Sequence, residues 1–205
     1  MMKRTWVVFA ALALVQPVFP QDTEKRDGAY YVVSHKDEFE GWTADALMEN
    51  KLGGSSPSEK VELTIMRTRA TDKTPFKYSL NVHYLGDDWV FIEEGKSLLL
   101  LLDGKKMTFT GAGSKRSRRV GSGYVSESSI YGAEYDSLLL ISSAKEVKVR
   151  VVGGEKNLDR FFSQQNFQIL KRFLTEYPPV TKTEGKDSLK TGDKPDTAAL
   201  RFKKP

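Results

Sequence analysis

The stretch Phe76–Leu85, FKYSLNVHYL, alternates without a break. Phe76, Tyr78, Leu80, Val82 and Tyr84 fall on one side; Lys77, Ser79, Asn81 and His83 fall on the other. A period of two is that of a strand with one buried face. Upstream, Val61–Arg69 (VELTIMRTR) repeats the pattern, with Val61, Leu63 and Ile65 on one face. Downstream, Gly86–Asp88 reads as a turn, WVFIEEG follows, and Leu98–Leu102 is apolar at every position. Such a run suits a central strand or one covered on both sides. DGKK, from Asp103, is a hairpin signal, because Asp-Gly accepts the positive φ angles of a tight turn. MTFTG returns as a strand, and KEVKVRVVGG places Val147, Val149 and Val151 on one face.

The remaining elements follow from this strand-rich middle. Tyr30–Val33 reads as a short strand, and Thr43–Asn50 fits either a strand or a helix. Ser137–Ala144 predicts a short helix with Asp136 or Ser137 as its N-cap. Asn157–Tyr177 carries apolar residues at spacings of three and four, the stripe of an amphipathic helix, which Pro178 and Pro179 end. The expected fold is α+β: a single domain, mainly an antiparallel sheet of six to eight strands. One short helix and a C-terminal amphipathic helix on one face complete it.

The ends have a different character. Lys3 and Arg4 precede the apolar run Thr5–Val15, and QPVFPQD breaks it. This is the pattern of a secretory signal peptide over residues 1–20, too short to span a bilayer. There is no Cys, which excludes thiol catalysis, disulfides and a lipid-modified cysteine. Residues 178–205 lack apolar periodicity and read as a disordered tail after a domain over 21–177. The chain has 32 basic and 27 acidic residues. Two of the basic ones lie in residues 1–20, and the tail holds seven basic and four acidic residues, leaving 23 of each between Gln21 and Tyr177. The domain is therefore neutral and lacks the basic excess that nonspecific nucleic-acid binding needs, and no specific nucleic-acid partner is expected.

Candidate chemistry centres on GSKRSRRVGSG, Gly113–Gly123, where Lys115, Arg116, Arg118 and Arg119 stand among glycines and serines. One reading is a solvated hairpin loop with local ion pairs to Asp103, Glu127 or Glu134. The other is a binding site for an acidic protein or an anionic envelope surface. The spacing GxxxxGK[ST] is absent, so the loop is not a P-loop. His35 and His83 lack the helical pairing of a zinc site, no cofactor motif is present, and no GxSxG elbow marks a serine nucleophile. Asp87 and Glu93 are the acids a hydrolase would need, yet turn chemistry accounts for Asp87.

Taken together, FKYSLNVHYLGDDWVFIEEGKSLLLLLDGKKMTF, the arginine-rich loop, a tyrosine before a short helix, AKEVKVRVVGG and a helix ending in RFL resemble a family of exported bacterial domains of unassigned function. The likeness covers about Val61–Tyr177. It implies export and assigns no catalytic residue. The expectation is a non-enzymatic envelope domain that binds a partner or ligand, with the four loop cations as contacts. The alternatives are a hydrolase of envelope polymers and a structural envelope component.

Overall fold

A computed structural model describes residues 22–71, 74–115, 118–121 and 123–179. The residues read as a signal peptide (1–20) and the part of the expected tail beyond Pro179 lie outside these residues, as does Arg116. The strands are β1 (Thr23–Asp27), β2 (Tyr30–Lys36), β3 (Thr43–Met48), β4 (Lys60–Arg69), β5 (Lys77–Gly86), β6 (Gly95–Leu102), β7 (Lys105–Gly111), β8 (Arg118–Gly121), β9 (Tyr124–Ala133), β10 (Val147–Val151) and β11 (Leu158–Phe161). Helix α1 is Tyr135–Ser143 and α2 is Gln164–Glu176. All strands belong to one antiparallel sheet in the order β1-β2-β3-β4-β5-β9-β7-β6-β10-β11, with β8 on β9.

Among the described residues, eleven strands replace the expected six to eight. The additional ones are short or ambiguous. β1 is exposed along its whole length and β8 has four residues, so neither has a buried stripe to read. The choice at Thr43–Asn50 falls to a strand, β3, which pairs on both sides. Within WVFIEEG, Ile92 forms an isolated bridge to Gly153 and Gly95 opens β6, paired with Gly111. The alternation in β5 holds along its length, with Tyr78, Leu80, Val82 and Tyr84 buried. Asp103 (φ 49°) and Gly104 (φ 83°) make the β6–β7 turn with both residues in the left-handed region, as a two-residue hairpin requires.

The sheet closes on itself. Beyond β3 the chain runs on beside β4, with Leu52 N–H donating to Val61 O and Leu63 N–H to Asn50 O. It then exchanges backbone bonds with β11: Gly53 N–H to Phe161 O at 2.8 Å and Phe161 N–H to Gly53 O at 3.2 Å. The ring thus runs β4-β5-β9-β7-β6-β10-β11 and back through the Asn50–Gly53 segment. Its inner face and α2 form one continuous core, including Ile65, Leu80, Leu98, Val149 and Phe173.

The C-terminal helix is shorter than its apolar stripe suggests. Leu158–Phe161 is the strand β11, paired with β10 and with Gly53, and Ser163 caps a helix that begins at Gln164. Backbone pairing at the seam outweighs the local helical period. Asn166 forms the reciprocal capping box with Ser163. Its side-chain amide also donates to Asn50 Oδ1 (2.7 Å) and Lys51 O (3.0 Å), fixing the helix start to the closing segment. At α1 the cap position is Glu134, without a side-chain cap bond, in place of Asp136 or Ser137.

The far end of α2 is held by a charged cluster. Glu176 accepts from Tyr30 Oη (2.7 Å), Lys25 Nζ (3.0 Å) and Arg172 Nε (3.0 Å). Burial pushes the Glu176 carboxyl up, but these donors outweigh it and lower the pKa from 4.5 to about 2. A depressed folded-state pKa gives stability that is present above the unfolded value and lost as pH falls through the folded one. Glu176→Gln is therefore expected to be less stable than the parent at pH 7, with the gap closing between about pH 4.5 and 2. Urea unfolding across that range checks it; a constant gap would contradict the assignment.

Candidate functional site

The basic loop is built around a carboxylate that faces inward. β9 alternates Val125, Glu127, Ser129 and Tyr131 toward the core, and Glu127 is 0% exposed. Its oxygens accept from the backbone N–H of Val90 (2.6 Å), Phe91 (2.9 Å) and Ile92 (3.0 Å), and from the Ser114 hydroxyl. Phe91 has φ of 55°, unusual for a bulky residue, and this turns successive N–H groups toward one point. Burial pushes the Glu127 carboxyl up; the Ser114 hydroxyl and the three N–H groups more than offset it and hold it below the ordinary carboxylate value.

Arg118 belongs to this arrangement. Its Nε lies 3.2 Å from Ser114 Oγ and 3.8 Å from Glu127 Oε2, and its guanidinium stands 4.5 Å from the Phe91 ring centroid. Phe91 in turn stacks on Trp89 at 5.8 Å. Lys115 and Arg119 are exposed. The described cations of the loop therefore divide: Arg118 secures the hairpin base, while Lys115 and Arg119 face solvent. Of the three acids weighed as loop partners, Glu127 engages Arg118. Asp103 instead accepts from the backbone of Lys145 and Glu146.

The other sequence candidates are dispersed. Asp87, Asp88, Glu93 and Glu94 are exposed on the connections around Trp89–Ile92. His35 stacks on Trp42 at 4.5 Å and meets Asp22 Oδ1 at 2.5 Å. His83 meets Ser126 Oγ at 3.0 Å. Among the described residues no group of three His, Asp or Glu could hold a metal ion. No described helix is long and apolar enough to cross a membrane.

A second feature lies on the outer face of β7, β6, β10 and β11. Register sets Lys106 opposite Leu101, Leu101 opposite Lys148, and Lys148 opposite Phe161, a row across four strands. The adjacent row is Thr108, Leu99, Arg150 and Asp159. These rows form part of a groove of about 840 Å³, which Phe162, Gln164 and Phe167 line at the start of α2. Leu101 is 42% and Phe161 50% exposed. The Phe161 ring rests against Gly53, where there is no room for a Cβ. Ring closure therefore also positions the groove's aromatic wall.

Charge in the groove is unbalanced. Arg150 pairs with Asp159 through two bonds of 2.6 Å, and Lys148 lies 3.3 Å from Glu146. Lys106 and Lys145 also line it and have no carboxylate partner among the described residues. Sequence reading passed over this site. Its signal was the apolar run Leu98–Leu102: a strand covered on one face only must leave Leu99 and Leu101 outside.

Comparison with protein-family models, curated proteins and solved structures found no match for this chain.

Removing the buried carboxylate should be costly. Glu127→Ala leaves three backbone N–H groups without their acceptor, at ~1–3 kcal/mol for each unsatisfied group. A loss on the order of 3 kcal/mol or more in unfolding free energy is expected; a loss below ~1 kcal/mol would mean that another acceptor replaces the carboxylate. Arg118→Ser is expected to lower the melting temperature, whereas Lys115→Ser with Arg119→Ser should leave it unchanged. Calorimetry of the two variants separates the roles.

Proposed function

We propose that this protein is an exported, non-enzymatic binding domain of the bacterial cell envelope, with the outer groove of β6, β10 and β11 as its ligand site. The observation that carries the reading is that groove. Its volume of about 840 Å³ falls within the ~300–1,000 Å³ usual for small-molecule sites. Its floor exposes Leu101 and Phe161, and cations stand around it. Exposed apolar side chains gathered in one concavity mark a contact surface better than singly scattered ones.

Export rests on the basic–apolar–polar order of residues 1–20. The loop cations have a subordinate part. Lys115 and Arg119 offer an acidic partner or an anionic surface a salt-sensitive contact near the β8–β9 hairpin. Arg118 is held by the hairpin's own interactions.

The test is to isolate the full chain from bacterial envelope extracts and weigh it by native mass spectrometry. A discrete bound mass is expected, absent from Leu101→Ser. Deleting residues 1–20 is expected to leave the protein in the cytoplasm and free of that mass. A bare protein, or the same bound mass on Leu101→Ser, would remove the groove as the site.

A further inference from the structure

We infer that the groove takes a monoacyl carboxylate, its chain on the Leu101–Phe161 floor and its head between Lys106 and Lys145. This rests on the groove being a ligand site, and it commits that site to one chemistry.

The floor carries the chain. Leu99, Leu101 and Phe161 occupy adjoining positions on β6 and β11, on either side of β10. Beside β11 lie Phe162 and Phe167, whose rings stand 5.4 Å apart. Apolar contact of this kind scales with chain length, at ~0.8 kcal/mol per buried CH₂, or roughly fourfold in affinity per methylene.

The head end is defined by charge. Lys106 lies three residues beyond Asp103, and the backbone N–H of Lys145 donates to the Asp103 carboxylate at 3.0 Å. Both lysines therefore stand at the β6–β7 hairpin end of the strands: Lys106 lies across β6 and β10 from Phe161, and Lys145 lies two residues before Val147, whose carbonyl accepts from Phe162 N–H. Arg150 and Lys148 have Asp159 and Glu146 beside them, and Asp103 is bonded to backbone N–H groups, so among the described residues Lys106 and Lys145 are the lining lysines without a carboxylate partner. Polar groups at one end of an apolar groove orient a ligand that has one charged end.

Other occupants fit less well. β6 and β10 have strand neighbours on both sides, so a peptide cannot add as a further strand on this floor. The chain's own segment Pro178–Pro205 holds seven basic and four acidic residues and would bring like charge to the two lysines. A concave floor with two exposed large apolar side chains holds a single chain better than it meets a flat bilayer.

The experiment is isothermal titration of the full chain with dodecanoate, butanoate, dodecyltrimethylammonium and dodecyl maltoside, each below its micellar concentration. A parallel arm measures sedimentation with phosphatidylglycerol vesicles. Dodecanoate is expected to bind one to one, more than tenfold tighter than butanoate or the cationic amphiphile. Leu101→Asp should weaken it at least tenfold. Lys106→Gln and Lys145→Gln should each weaken it about fivefold, the effect of removing one nearby cation. Thermal melts of the three variants should match the parent, since all three side chains reach solvent. Equal binding of the cationic or neutral amphiphile, lost in Leu101→Asp, would overturn the carboxylate and leave the groove a ligand site. Binding to vesicles without binding to monomeric dodecanoate would overturn it in favour of a membrane surface. No binding in any arm would overturn both this inference and the groove as a small-molecule site.

Discussion

The fold depends on the seam where β11 meets the Asn50–Gly53 segment. Two backbone bonds between Gly53 and Phe161 close the ring, and the Asn50–Asn166 amide pair attaches α2 to the same place. Both asparagines are buried, and their amides donate to acceptors inside the protein. Buried amides without such partners would cost more than the contacts around them return. With the seam closed, the inner face of the sheet and α2 share one core. The outer face of the same strands then becomes a groove, whose wall is the Phe161 ring supported by Gly53.

Across the ring, Glu127 performs a related task with a charge. The connection from β5 to β6 crosses the end of the ring without a strand ladder, so its N–H groups need acceptors. The Glu127 carboxylate supplies them for Val90, Phe91 and Ile92, and Ile92 and its neighbours bond onward to the Val152–Gly154 segment. An ionised carboxylate is tolerated in the core because hydrogen bonds meet it from four donors. Arg118 joins from the hairpin side, so the described cations of the loop do not form one patch.

The two surfaces differ in what they offer a partner. Lys115 and Arg119 are exposed near the hairpin, with Val120 exposed beside Arg119. Such charges steer and select more than they hold. The groove combines exposed apolar side chains with cations around them.

Sequence by itself determined the local elements whose periods coincide with burial. β5, β7 and β10 were legible because each has one face inside and one outside, β6 from its unbroken apolar run, and the β6–β7 turn because Asp-Gly permits its backbone. Lys115 and Arg119 were legible as exposed cations. Tertiary structure decided what depends on distant partners. Leu158–Phe161 has helical spacing yet is a strand, because Gly53 and β10 supply hydrogen bonds that an isolated segment lacks. Glu127 sits at an inward position of the period Val125–Glu127–Ser129–Tyr131, but its acceptors' partners lie 35 to 37 residues away and nothing local announces them. The groove is the furthest from sequence: its two rows draw on four strands between Leu99 and Phe161. Only cross-strand register brings those residues side by side.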